Sequence, residues 1–245
     1  MSADTPTYIY GLTFADAPLP EGLAGLGPSG KVWKIAHQDV VAIVSDVPVD
    51  RPLGKRKDLM AHETVVDTIA AESTILPMRF GAVVKEDGVL NELLQPHHDR
   101  FAGMLEQLDG RTQYTLRARY DLDAVLPDII QGDENIRALH ERVRGLSEEA
   151  AHFDRIQLGE LISKALEGRR QSDAAQLIGD LEPIAVTGKL LEPEQPDEVV
   201  NAAFLVERSR QQEFEDKVDE VGARFPMLRL KLLGPLAAYD FVPQE

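Results

Sequence analysis

Apolar residues recur along the first half of the chain at two spacings, and each spacing predicts a different kind of element. Residues 8–14, YIYGLTF, alternate in the way that predicts a strand buried mainly on one face. Residues 32–36 and 40–47 are two further apolar runs around a short turn, which predict a hairpin. From about 56 to 72, and again from 89 to 108, apolar residues stand three and four positions apart, which predicts two helices.

The second half of the chain shows a different order of elements. Residues 111–120 alternate almost without exception, which predicts a strand with one polar face. Helical patterns follow to about residue 181, and the polar stretch 168–173 leaves open one long helix with an exposed middle or two helices with a break. Two strands, an amphipathic helix and a last strand over 227–233 complete the order. That order is typical of a ferredoxin-like unit with an enlarged helical crossover.

The change of pattern near Gly110 predicts a domain boundary. The fold class is therefore predicted as α+β with two domains, an N-terminal α+β domain over residues 1–109 and a C-terminal modified ferredoxin-like domain over 110–245. The ending 234–241, GPLAAYDF, is too apolar for a solvated tail. Because Gly-Pro gives the chain a bend, we expect this tail to dock on a domain surface.

An arginine stands inside the apolar segment 74–84, TILPMRFGAVV. The segment is apolar on both sides of an extended chain, so it predicts a strand covered on both faces with Arg79 in or beside a core. A buried guanidinium needs acceptors, which are a carboxylate or several backbone carbonyls. We therefore interpret Arg79 as a structural clamp between two elements. The alternative is an anion or carboxylate site at the same residue.

Basic side chains fall on the polar face of the first and last strands of the predicted ferredoxin-like sheet. In that fold the two strands are antiparallel neighbours, so their polar faces coincide. The residues that would form this basic patch are Arg117, Arg119, Arg229 and Lys231. Two interpretations stay open: acidic residues of the N-terminal half cover the patch, or the patch is a docking surface for acidic groups of a partner.

The net charge of the chain limits the classes of partner that it can bind. The 245 residues include 26 Lys and Arg against 42 Asp and Glu, which gives a net charge of −16. Such a chain is repelled by nucleic acid backbones and by anionic lipid surfaces, so we expect neither as a partner. The sequence has no cysteine, no signal-like N-terminus and no window near the roughly 20 apolar residues of a membrane span. We expect a cytoplasmic location.

Catalytic motifs are missing from the sequence. There is no GxSxG, no GxGxxG after a strand, no EF-hand loop and no HExxH. Gly25, Gly30 and Lys31 match the spacing of a phosphate loop, but Val32 and a predicted strand follow where that loop needs a hydroxyl and a helix. His62 lies on or next to the buried face of its predicted helix, which favours a core residue. We expect no catalytic residues, no cofactor and no metal.

Four segments carry a resemblance that covers nearly the whole chain, about residues 7–242. They are YIYG at 8–11, ILPMRFG at 75–81, AFLV at 203–206 and LLGPLAAYDF at 232–241. Together they resemble the gas vesicle protein F/L family (GvpF/GvpL), and ILPMRFG and the ending are the most specific parts. The chain departs from the family pattern at Ala237 and Ala238, where that pattern has prolines.

The resemblance implies an accessory, minor structural protein of gas vesicle assembly, located at the gas vesicle within the cytoplasm. Its implied partners are the small hydrophobic shell protein and other gas vesicle accessory proteins, and it implies no catalytic activity. A shell subunit exposes apolar surface before assembly, so an acidic, soluble partner fits a chaperone-like role.

Two other classes of function remain to be weighed. One is a small-molecule-binding enzyme with a site near Arg79, which requires a concave pocket with convergent polar groups. The other is an RNA binder that uses its four-stranded sheet. The polar face of residues 111–119 carries no aromatic side chain on which a base could stack, which disfavours RNA.

Overall fold

The computed structural model describes residues 5–48, 50–147, 149–195 and 197–243. It is a mixed structure of helices and strands with two antiparallel sheets. The chain divides into two compact units. The first comprises Met1–Tyr114, Leu205–Ser209 and Leu233–Glu245, and the second comprises Thr115–Phe204 and Arg210–Leu232. The last residues thus belong to the first unit, and the predicted boundary at 109/110 stays a prediction.

The first sheet has five strands in the order β2-β3-β1-β4, with β5 also paired to β1. Its strands are β1 (Pro6–Phe14), β2 (Val32–His37), β3 (Val40–Asp46), β4 (Ile75–Pro77) and β5 (Val83–Lys85). β2 and β3 form the predicted hairpin, and β1 lies in the middle of the sheet between β3 and β4.

β1 is buried on both faces, so the prediction of one buried face is wrong. The pairing with β3 shifts register between Ile9 and Gly11, which is a β-bulge. Tyr8 and Tyr10 consequently point to one core, while Ile9 and Leu12 belong to the other. The bulge breaks the strict alternation on which the prediction rested.

Helices cover both faces of this sheet. α1 (Arg56–Glu72) agrees with the predicted helix and packs Val65, Val66 and Ile69 against the tyrosine face. On the other face lie a short helix α2 (Glu86–Gly88), a π-helical turn (Val89–Leu94) and α3 (Gln95–Leu108). The start of α1 is fixed by the buried carboxylate of Asp58, which accepts from the amide of Lys55 at 3.0 Å and from Arg51. The guanidinium holds the pKa of Asp58 well below its usual range.

The segment 74–84 is not one strand, contrary to prediction. β4 and β5 pair with different parts of β1, and a turn between them bulges away from the sheet. Pro77 has no amide hydrogen, and Gly81 adopts φ +96°, a left-handed conformation that favours glycine. Arg79 lies in this turn.

The second sheet has the strand order β7-β8-β6-β9. Its strands are β6 (Arg111–Tyr120), β7 (Thr187–Leu190), β8 (Glu198–Glu207) and β9 (Leu228–Leu236). The helices between β6 and β7 are α4 (Leu122–Gly132), α5 (Glu134–Arg144) and α6 (His152–Leu181), and α7 (Gln211–Arg224) lies between β8 and β9. α6 runs unbroken through the polar stretch, so the single long helix is the alternative that the chain adopts.

Candidate functional site

Arg79 lies at an exposed turn between β4 and β5. Arg79 is therefore not inside a core, as one continuous covered strand would have required, although it lies beside the core residues Leu76 and Phe101. The turn itself is well fixed, since the Met78 amide donates to Tyr10 O at 2.9 Å and the Gly81 amide donates to Tyr8 Oη at 3.1 Å. A clamp role for Arg79 stays a prediction.

Arg79 lines a cleft of about 310 Å³, which we name the Arg79 cleft. Three segments of the first unit form it: the β4–β5 turn, the start and middle of α3, and the end of the chain. Leu76, Met78, Phe101 and Met104 give it an apolar lining. The side chains at the cleft that carry or can take a positive charge are Arg79, His97 and Arg100.

The described lining residues of this cleft include no carboxylate, hydroxyl or thiol, and the imidazole of His97 is the side chain among them that can serve in acid–base work. Guanidinium groups bind carboxylates through two parallel hydrogen bonds. The arrangement therefore suits an apolar group that carries a negative charge.

His62 is a buried structural residue, as its position on α1 predicted. Its side chain lies between two phenols, with Tyr8 Oη 2.9 Å from Nδ1 and Tyr239 Oη 3.0 Å from Nε2. Burial lowers the pKa of His62 to about 4 and raises the pKa of Tyr8 to about 12. The imidazole is thus neutral near pH 7 and ties the chain end to α1.

Further contacts hold the chain end to the first unit. Asp240 accepts from Gln113 Nε2 at 2.6 Å, and the Asp240 amide donates to Gln113 Oε1 at 3.0 Å. Ala237 and Ala238, which stand where the family pattern has prolines, are both buried. Two alanines are therefore compatible with a docked tail in this chain.

Arg208 makes contacts of the kind that a structural arginine needs. Arg208, directly after β8, donates to the carbonyls of Ala70, Ala71 and Ser73, with distances of 3.1 Å to the last two. These carbonyls belong to the end of α1, whose last turn has no basic residue of its own. Desolvation by burial lowers the pKa of Arg208. No local sequence pattern marks this residue, because its partners lie about 135 positions earlier.

The predicted basic patch consists largely of paired charges. Arg117 binds Glu194, with 2.6 Å between Nη1 and Oε2. Arg119 is 3.1 Å from the fully buried carboxylate of Glu198. Arg229 and Lys231 are exposed, and Arg229 pairs with Asp121 at 2.7 Å. Since β6 and β9 are neighbours, the four side chains do lie on adjacent strands, and their role as a patch stays a prediction.

Apolar side chains are exposed around the turn between α5 and α6. Phe153 is 83% exposed, and Ile156, one helical turn further on, is 50% exposed. Leu146, which precedes α6, is 41% exposed. We name these three residues the apolar tip. The sequence pattern did not predict an exposed apolar cluster at this turn.

In the loop with phosphate-loop spacing, backbone amides that could bind a phosphate already donate hydrogen bonds within the protein. The Gly25 amide donates to Gly30 O at 2.9 Å, and the Ser29 amide donates to a carboxylate oxygen of Asp46 at 3.0 Å. Strand β2 begins at Val32, where a phosphate site needs a helix. Asp46 would repel a phosphate, so the loop is poorly suited to bind one.

Among the residues that the structure describes, no group of three or more His, Asp or Glu side chains is placed to hold a metal ion. No helix within 5–48, 50–147, 149–195 or 197–243 is long and apolar enough to cross a membrane.

The turn with Arg79 and the docked ending coincide with the segments that carry the resemblance, and comparison with known proteins decides what it means. The family model described as gas vesicle synthesis protein GvpL/GvpF matches residues 6–243. The chain belongs to the GvpL/GvpF family. Its function is therefore related to gas vesicles.

Individual relatives in the GvpL/GvpF family match over almost their full length. Gas vesicle protein F of a Streptomyces species is 34% identical over 96% of this chain and 99% of its own. Gas vesicle protein L of the same source is 31% identical over 98% of this chain and 94% of its own. The crystal structure of GvpF from Anabaena is similar, with a TM-score of 0.81 and 26% identity over 98% of this chain and 99% of that chain. This similarity supports the mixed α and β architecture.

Proposed function

We propose that this chain is an accessory, minor structural protein of gas vesicle formation that binds the hydrophobic shell protein during assembly. It acts at the gas vesicle within the cytoplasm, in contact with the shell protein and other accessory proteins. Family membership supports a role in gas vesicle formation. The relatives are named as gas vesicle proteins, and their names state no enzymatic activity.

The apolar tip is the observation that supports shell binding. Phe153 and Ile156 stand exposed on the same side of α6, in a chain whose net charge is −16. A protein that lines a gas-filled space has apolar surface that must be covered before assembly. When an apolar patch of a strongly charged, soluble chain binds such a surface, it covers that surface and keeps the shell protein from aggregating.

Substitution at the apolar tip tests this proposal. In pull-downs with purified shell protein, the double variant Phe153→Ser, Ile156→Ser is expected to capture at least tenfold less than the unaltered chain. Met60→Ser is the matched control, because Met60 is also an exposed apolar residue, 54% exposed, on α1. Both variants should melt at the temperature of the unaltered chain. Equal capture by the double variant and the control would refute the role of the tip.

The Arg79 cleft gives less support to a small-molecule-binding enzyme with a site near Arg79 than to a binding role. Arg79 does line a concave site, but His97 is the one described lining residue suited to acid–base work, and no carboxylate, hydroxyl or thiol among the described lining residues stands beside it. A single such group gives little support to catalysis in this cleft.

We also propose that the second unit is a ferredoxin-like domain with an enlarged first crossover. The strand order β7-β8-β6-β9 is the order 2-3-1-4 within that half, as such a domain requires. α4, α5 and α6 occupy the first crossover and α7 the second. The boundary of 110–245 for this domain is part of the proposal.

A further inference from the structure

Strand β2 lies at an open edge of the first sheet. It pairs with β3 on one side and is the last strand of the sheet on the other. In an antiparallel pair, alternate residues direct their backbone N–H and C=O groups away from the partner strand. Among the residues that the structure describes, none forms a backbone hydrogen bond with the outer edge of Val32–His37. This edge therefore carries backbone donors and acceptors to which another strand can pair.

Two common protections of an edge strand, a proline and a free lysine, are absent from β2. Every residue of β2 is at least partly exposed, whereas β3 is buried from Val40 to Ser45. The single lysine of the strand, Lys34, donates its ammonium group to Ala17 O. The neighbouring loop thereby holds the charged end of this side chain.

A cavity lies at the start of β2, and we name it the Trp33 pocket. Its volume of about 670 Å³ is within the range of ligand sites, about 300 to 1,000 Å³, so it can take a large apolar side chain. Leu19 and Leu23 of the preceding loop also pack against the core below α1, which fixes one wall of the pocket. The apolar lining residues are Leu19, Pro20, Leu23, Val32 and Trp33.

A lysine at the Trp33 pocket determines which charge an occupant should carry. Lys31 lines the pocket, is exposed and forms no ion pair with any residue that the structure describes. The carboxylate of Asp46 also lines the pocket, but it already accepts from the Ser29 amide at 3.0 Å and from the Ser29 hydroxyl at 2.7 Å. The exposed Asp16 and Glu21 of the loop are not lining residues. An acidic side chain of an occupant is therefore complementary to Lys31.

The size of the open edge suits a short segment and not a second copy of this chain. The six residues of β2 span roughly 20 Å. A stable dimer buries about 800 Å² or more on each partner, which one short edge and one pocket do not supply. Two copies that each carry a net charge of −16 also repel each other. Addition of a strand to a sheet edge, with side chains in adjacent pockets, is a recurring mode of peptide recognition.

We propose that β2 and the Trp33 pocket bind an extended segment of a partner protein. The segment adds to the edge as a further strand, places a large apolar side chain in the pocket and pairs an acidic side chain with Lys31. This inference does not depend on the shell contact, because the apolar tip belongs to the second unit and the Trp33 pocket to the first.

A peptide selected from a random 12-residue display library without tryptophan is the probe for this site. Enriched peptides are expected to carry Phe, Tyr, Leu or Ile with Asp or Glu nearby. Trp33 is the one tryptophan of the chain, so its emission should shift to shorter wavelength as a bound peptide excludes water from the pocket. Methylation of single backbone amides of the peptide should weaken binding at least tenfold at alternate positions only, because a strand directs every second amide to its partner.

Substitutions in the chain locate the bound peptide. Leu23→Ser should bind it at least tenfold more weakly, because this change removes part of the apolar wall. Leu53→Ser is the matched control, since Leu53 packs against the same core and is not a lining residue. Lys31→Gln should weaken binding about threefold, whereas Lys57→Gln, at an exposed lysine of α1, should leave it unchanged.

No enrichment, or binding that tolerates a methyl group at every backbone amide, would overturn the proposal. Unchanged binding by Leu23→Ser at the melting temperature of Leu53→Ser would do the same. The methylation series uses the unaltered chain, so it decides even where Leu23→Ser is less stable. Dimerisation of the unaltered chain that the peptide reverses in analytical ultracentrifugation would assign the edge to a second copy instead. Because the pull-down with shell protein is scored separately at Phe153, failure of one proposal leaves the other measurable.

Discussion

At the scale of single residues, burial keeps the His62 side chain uncharged, and the neutral ring contacts Tyr239 near the end of the chain. The imidazole is 2% exposed and contacts two tyrosine hydroxyls, one from β1 and one from the tail. Protonation would place a cation in a desolvated site, so the neutral form is favoured there. The tail contact therefore depends on pH.

The pKa of His62 predicts a loss of stability on acidification. The pKa is about 4 in the folded chain and 6.5 in its unfolded state, so the unfolded chain binds the extra proton in between. Stability is complete above pH 6.5 and falls as the pH drops to 4, by on the order of 3 kcal/mol. The neighbouring Asp67 has a raised pKa and contributes with the opposite sign.

Urea titrations of the unaltered chain and of His62→Gln between pH 4 and 7.5 isolate the histidine. The difference in free energy of unfolding between the two should shrink as the pH falls. A difference that does not change with pH would show that His62 is not the titrating group.

Arg208 and Arg79 are expected to respond differently to the same substitution. Arg208→Met leaves three carbonyls at the end of α1 without their donor, which should destabilise the chain by about 2 kcal/mol. Arg79→Met alters an exposed turn and should change stability by about 0.5 kcal/mol or less. Thermal melts of both variants check this contrast, and a loss for Arg79→Met as large as that for Arg208→Met would support a clamp role for Arg79.

At the scale of elements, local periodicity predicted most of the secondary structure and failed where a special backbone intervenes. The bounds of α1 follow from its apolar spacing and its Asp58 contact. The sequence predicted one buried face for β1 because the alternation of apolar and polar residues does not reveal the bulge near Tyr10. The turn at 78–82 was missed because its flanks, Ile75 and Val83, pair with the same strand.

The tail is the element whose removal should have the largest effect on the first unit. Ending the chain after Leu236 removes the buried Ala237 and Ala238, the Tyr239 contact to His62 and the Phe241 packing. We expect a loss of about 3 kcal/mol or more and faster hydrogen exchange in α1. The variant Tyr239→Phe, which loses only one hydrogen bond, should cost about 1 kcal/mol. Unchanged exchange in α1 after truncation would argue that the tail does not stabilise this helix.

At the scale of the whole molecule, the candidate sites were only partly predictable from sequence. Arg79 stands out in the sequence as a charge in an apolar segment, but its exposure depends on a turn that alternation does not reveal. The acidic partners of Arg117 and Arg119 lie about 77 positions away, so their pairing could not be inferred from spacing. The exposure of Phe153 and Ile156 could not be inferred from their i, i+3 spacing, because that spacing is also typical of a buried helix face.

Charge reversal separates structural from docking roles in the basic patch. Arg119→Glu sets a second carboxylate beside buried Glu198 and should destabilise the chain by about 3 kcal/mol. Lys231→Glu changes an exposed residue and should alter neither the melting temperature nor capture of the shell protein. Loss of capture by Lys231→Glu with an unchanged melting temperature would instead identify the patch as a docking surface.

The central claim, that this chain binds the hydrophobic shell protein, is tested most directly by the aggregation of that protein. Shell protein diluted from denaturant into buffer should scatter light strongly alone and much less with an equimolar amount of this chain. The double variant Phe153→Ser, Ile156→Ser should protect poorly, whereas Met60→Ser should protect like the unaltered chain. Scattering that is the same with and without the unaltered chain, at every ratio up to a tenfold excess, would contradict the account.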